Sequence, residues 1–95
     1  MATIAVTVEF KIMEGDQEWD YALRRHHVAA TGGEQAMVDL CRRTFKAKLE
    51  RGKPGNFSAM ALVNGNEVAR LDKLNKQDVR KLEDFTIDEY KKLRK

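Results

Sequence analysis

Ile4, Val6, Val8, Phe10 and Ile12 alternate with Thr3, Ala5, Thr7, Glu9 and Lys11. Successive side chains of an extended chain point to opposite faces, so this spacing predicts a strand with one dry and one wet face. Such a strand needs a second layer over its apolar row and a neighbour for its backbone groups. The chain has 95 residues, room for one core of that kind, and residues 1–95 read as a single domain. Hydrophobic residues make up 42% and charged residues 35%. The apolar ones are patterned rather than scattered, which argues against disorder.

The neighbouring strand must come from the segment that comes next. Glu14-Gly15-Asp16-Gln17 reads as a turn. Residues 18–30 fit a helix, with Trp19, Leu23, His26 and Ala30 on one face and Asp16 as its cap, or a strand. As a strand, Tyr21 and Leu23 point away from Val28 and Ala30, so a bulge near Arg24–His27 is required to bring both pairs onto the core. The strand is the preferred reading, because a turn-length gap after a lone strand invites a hairpin.

Thr31-Gly32-Gly33 breaks the chain. Met37, Leu40, Cys41, Phe45 and Leu49 then keep the spacing of one helical face, predicting an amphipathic helix to about Arg51, ended by Gly52 and Pro54. Phe57–Val63 is nearly all apolar and predicts a central strand. Asn64-Gly65 tolerates positive φ at both residues and predicts a tight hairpin to a partner strand over Glu67–Leu71. Asn75 suits the cap of a short helix through Leu82. Thr86-Ile87-Asp88-Glu89 has the form of a capping box for a last helix bearing Tyr90 and Leu93. The expected fold is α+β: a four-stranded, mainly antiparallel sheet with one long helix on a face, order ββαββ, then one or two short C-terminal helices.

Cys41 is the single cysteine, which rules out an intramolecular disulfide and a cysteine-rich zinc site. Small secreted domains ordinarily carry disulfides, and Glu9 and Lys11 interrupt the first apolar stretch too early for a signal peptide. A reducing, cytoplasmic setting is expected. No apolar run approaches the ~20 residues that span a bilayer, so no membrane association is expected. The glycosylation pattern Asn56-Phe57-Ser58 is idle in such a setting.

Catalytic machinery is hard to assemble from these residues. Cys41 lies on the apolar helix face, where a thiol behaves as a small core residue. The paired carboxylates near Glu14–Asp20 and at Glu83-Asp84 fall in turns or on solvated helix faces. The Thr31-Gly32-Gly33 step lacks the lysine and fuller glycine pattern of a phosphate loop. We therefore expect no enzyme, no catalytic residue and no cofactor.

Charge is the remaining signal. The net charge is +3, unevenly spread: residues 1–23 hold one base and five acids, residues 24–55 eight bases and three acids, residues 56–95 nine bases and seven acids. Arg42, Arg43 and Lys46 share the outer face of the long helix, with Arg24, Arg25 and Lys53 as further candidates and Trp19 and Tyr21 as aromatic anchors. A basic middle suits a partner with an acidic surface. The first functional expectation is a non-enzymatic regulator, adaptor or inhibitor, such as a phage or mobile element carries, acting through a protein partner. The alternative is a DNA- or RNA-binding domain using the same basic face; Asp39 and Glu50 dilute that face, which a protein tolerates better than a nucleic acid does. Ordinary solvated charge is the bland account.

Adjacent histidines diverge on a strand or a helix, so His26 and His27 make a poor chelating pair, and no spacing supplies further ligands. The purified protein is expected to hold no stoichiometric zinc. Elemental analysis finding one zinc per chain, lost together with structure on chelation, would overturn this.

Overall fold

The computed structural model describes residues 3–15, 17–47, 49–50 and 52–93, with side chains excepted at 3, 17–23 and 93. The alternating segment forms β1 (Thr3–Glu14), and residues 17–31 return as β2 (Gln17–Thr31), the hairpin partner. Next come α1 (Gly33–Lys46), β3 (Phe57–Val63), β4 (Asn66–Leu74) and α2 (Lys76–Leu93). The strands make one antiparallel sheet in the order β2-β1-β3-β4. Both β2 and β3 run against β1, so they are parallel to each other, and α1 crosses over β1 to join them.

β1 is central, and its apolar row decides which face is dry. Val6, Val8, Phe10 and Ile12 are buried together with Ala59, Ala61 and Val63 of β3, their neighbours on the same face. Met37, Leu40, Cys41 and Phe45 of α1 and Val79, Leu82 and Tyr90 of α2 close over this row in one core. Each large side chain fully buried there contributes about 1.5–3 kcal/mol. Both helices thus cover one face, giving two layers.

Residues 18–30 are strand, as their hairpin position required. The bulge lies slightly earlier than its expected place at Arg24–His27. Phe10 pairs with Arg24 and Lys11 with Ala22, leaving Leu23 extra, and a second irregularity occurs before Met13. From Arg24 onward the ladder is regular, and Val6 opposite Val28 and Ile4 opposite Ala30 put Arg24, His26, Val28 and Ala30 on the helix side. His26 packs edge-on against Phe10, while the exposed His27 points to the other face.

Two expectations at helix ends need correction. α1 ends at Lys46, where Ala47 is already extended, and not near Arg51, which lies outside the described residues. Gly52 does not cap α1, because its amide is committed elsewhere, donating to Asp78 Oδ1 at 3.3 Å in the first turn of α2. Leu49 still packs on the core, but from the connection. Gly55 is held by close approach: a methyl group there would collide with the Leu74 carbonyl oxygen and sit 2.8 Å from Asn75 Cα.

Asn75 caps α2 as expected, its Oδ1 accepting from the Asp78 amide at 2.8 Å. However, α2 is one helix, and Thr86 starts nothing. It is fully buried mid-helix, its hydroxyl 2.8 Å from Leu82 O and 3.0 Å from the Thr44 hydroxyl of α1. Tertiary burial overrides the capping box, since a continuous helix carries Val79, Leu82, Thr86 and Tyr90 along one side. The Asn64-Gly65 turn has φ of 50° and 86° and docks on β1, with Asn64 Oδ1 accepting from the Thr7 amide at 3.0 Å.

Burial pushes the Cys41 thiol up to about 11. Native chains therefore keep the proton that unfolded chains release from about pH 9, so this contribution is present below pH 9 and lost as pH rises toward 11. Wild type should lose on the order of 2 kcal/mol relative to Cys41→Ala over that window, read by urea unfolding. At neutral pH the variant should be less stable by ~1 kcal/mol, and thiol reagents should label folded wild type far more slowly than denatured protein. Equal labelling rates would contradict this burial.

Candidate functional site

The bulge in β2 decides the fate of the first two candidate arginines. Arg24, turned to the helix side, reaches α2: its Nε lies 2.9 Å from Glu83 Oε2, and its Nη2 donates to Asp84 Oδ1. These pairings, Asp84 first and then Glu83 against the opposing desolvation, hold the guanidinium pKa above its ordinary value. The Glu83 side chain is only 2% exposed. Its Oε2 also stands 3.6 Å from His26 Nε2, too far for a hydrogen bond, and the Arg24 contact is poorly aligned. Arg24 is thus the main compensation for a buried carboxylate. Arg25 points to the opposite face and lies 3.4 Å from Glu9 Oε2. Two adjacent arginines are spent on three ion pairs within the fold, two on the helix side and one on the other face.

Lys53 sits on an exposed turn whose backbone has a structural task. The Asn75 side-chain amide donates to Lys53 O at 2.8 Å, so the turn is pinned to the start of α2. Trp19 and Tyr21 fall within β2, and their side chains lie outside the described residues.

Arg42, Arg43 and Lys46 are all exposed on α1. Two of them join residues that sequence patterning did not single out. Arg42 and Lys46, with Phe45 between them, form one wall of a groove completed by Val68, Ala69 and Arg70 of β4, with a volume near 200 Å³. Val68 is the extra residue where the β3–β4 register slips between Ala61 and Leu62, and Arg42 Nε donates to its carbonyl at 3.4 Å. That long contact engages one nitrogen of the guanidinium and leaves Arg42 exposed. Arg70 Nε lies 3.1 Å from Asp72 Oδ1. The Ser58 hydroxyl, and then Arg70, lower the Asp72 pKa. Arg42 and Lys46 flank an apolar floor, whereas the Arg70 side chain, opposite Met60 and paired with Asp72, is turned to the other face of the sheet; no carboxylate lines the groove. Arg43 stands outside it. On α1 itself, Asp39 accepts from Gln35 at 2.9 Å.

A recess of opposite sign lies by the α1–β3 connection and α2, lined by Leu49, Glu50, Lys81, Asp84, Phe85 and Asp88. Asp84 there is already committed to Arg24. Among the described residues no group of three or more His, Cys, Asp or Glu is placed to hold a metal ion, and no helix is long and apolar enough to cross a membrane. No protein-family model, curated protein or solved structure matches the chain.

The split between spent and available cations has a measurable consequence. Arg24→Ala should cost about 1–3 kcal/mol, because it strands Glu83 in the interior. Arg25→Ala should change stability by less than ~0.5 kcal/mol, since its pair is exposed on the arginine side. Urea unfolding of the two variants gives both values, and equal losses would refute the assignment of Arg24 as a structural anchor.

Proposed function

We propose that this chain is a non-enzymatic binding module, cytoplasmic and basic, which recognises an acidic surface on a protein partner through the outer face of α1. The observation that carries the reading is the sorting of charge. Arg24 and Arg25 are neutralised within the fold, whereas Arg42, Arg43 and Lys46 remain exposed, with no ion pair drawing on them among the described residues. Exposed cations without internal partners raise the local positive potential and steer an acidic surface into contact. Beside them lies an apolar floor, and a mixed charged and apolar patch suits a protein better than a phosphate backbone.

The experiment replaces Arg42, Arg43 and Lys46 together with glutamate. The fold should survive, because exposed substitutions usually shift stability by less than ~0.5 kcal/mol each. Association with a partner captured from the native host should slow steeply at low salt, since three attractive charges have become repulsive. Generic DNA and RNA should bind weakly to both forms. If wild type instead binds them tightly, with a salt slope of about 0.9 per phosphate contacted, the partner is nucleic acid and the protein reading fails. A folded triple variant that keeps wild-type affinity removes α1 from consideration.

A further inference from the structure

Asn64-Gly65 is the single Asn-Gly pair among the four asparagines of the chain, and both residues are exposed at the β3–β4 turn. An asparagine before a glycine is the one most open to loss of its side-chain amide. Because glycine has no Cβ, its backbone nitrogen meets little obstruction on the way to the asparagine Cγ. The chemistry balances with water as the only co-reactant. The Gly65 nitrogen attacks Asn64 Cγ and closes a succinimide ring, and the proton it loses departs with the side-chain amide as ammonia. Water then opens the ring at either carbonyl. One opening leaves aspartate; the other leaves isoaspartate, whose main chain runs through the former side chain and is longer by one methylene.

The folded turn blocks the first step in two ways. Asn64 has φ of 50°, in the left-handed region where ψ is about +30 to +60°. Such a ψ puts the Gly65 nitrogen across the Cα–C bond from the Asn64 side chain, out of reach of Cγ. The side chain is also held, since its Oδ1 accepts from the Thr7 amide at 3.0 Å while the Asn64 amide donates to the Thr7 carbonyl at 2.8 Å. Bringing nitrogen to Cγ needs a large rotation about that Cα–C bond. The rotation carries off Gly65 and the start of β4, and so undoes the pairing of Val63 with Asn66. We propose that Asn64 is a deamidation site kept closed by the folded turn, so that its conversion marks chains whose β3–β4 turn has opened. Aspartate keeps an oxygen for the Thr7 amide and lets the turn re-form. Isoaspartate moves that oxygen and lengthens a two-residue turn, so the link to β1 is lost permanently.

The test incubates the full chain in mildly alkaline buffer, native and in enough urea to unfold it by circular dichroism. Mass spectrometry of proteolytic peptides locates each conversion, and chromatography separates aspartyl from isoaspartyl products. In urea, Asn64 should convert at least ~tenfold faster than Asn56, Asn66 or Asn75, which precede bulkier residues. In the native chain Asn64 should convert at least ~tenfold more slowly than in urea, because only the open fraction of the turn can react. Refolding then separates the products. Asn64→Asp should fold, with hydrogen exchange at the Thr7 amide within ~threefold of wild type. The purified isoaspartyl chain should exchange that amide at least ~tenfold faster than wild type, or fail to refold under conditions where Asn64→Asp refolds. A native rate within ~twofold of the rate in urea overturns the proposal, since the turn then gives no protection. So does another asparagine converting as fast as Asn64 in urea, or an isoaspartyl chain whose Thr7 amide exchanges as slowly as wild type.

Discussion

The inner row of β1 is the constraint on which the rest of the molecule depends. Val6, Val8, Phe10 and Ile12 lie in a strand with neighbours on both sides, under both helices. A one-residue slip against β3 would turn this row to the wet face and bring Thr7, Glu9 and Lys11 into the core. The Asn64 side chain, locked onto the Thr7 backbone, pins the register where that slip would begin. Everything laid over the row then has to accommodate the polar groups that come with the helices. Thr44 and Thr86 do so as a pair of hydroxyls within 3.0 Å, each also close to a carbonyl of its own helix. With two protons only two of these three contacts are hydrogen bonds at once: one hydroxyl donates to the carbonyl of its own helix and the other donates to that hydroxyl.

What could be read from residues alone was what local chemistry decides. The alternation of β1, the apolar run of β3, the two-residue Asn64-Gly65 turn and the Asn75 cap each depend on a few neighbouring residues, and all four appear where expected. The errors came where a distant partner took over. Gly52 has the form of a helix stop, but its amide is taken by Asp78. Thr86 has the form of a cap, but it is buried against Thr44. The same limit governed the groove beside α1. Arg42 and Lys46 were legible from helical spacing; Val68 and Ala69 were not, because strand order places β4 beside α1 and strand order leaves no local mark. Arg24 is exposed, as its charge suggested, but nothing in its own segment announces that Glu83, far along the chain, is buried beside it.

Among the described residues, each edge strand of the sheet has a backbone carbonyl occupied by a helix side chain. The Tyr90 hydroxyl donates to Ala29 O in β2, and Arg42 Nε donates to Val68 O in β4. Open strand edges invite pairing with other chains, and bulges and charged side chains are common ways to blunt them. The bulge at Val68 serves this end as well as shaping the groove, so one irregularity in β4 both guards an edge and forms a wall.

The crossover of α1 has a kinetic side. Both hairpins join segments adjacent in sequence and can close within microseconds, since their turns are tight and their pairings local. The contact that unites them, β1 against β3, pairs residues as distant as Val8 and Val63. Closing that span costs chain entropy before any of the inner row is buried, and α1 cannot dock fully until both of its neighbouring strands are in place. Assembly of the whole sheet is therefore slower than formation of either half. In the interval the apolar rows of two unjoined hairpins stand open to water, and it is then, rather than in the finished fold, that the chain is most exposed to capture by other copies of itself.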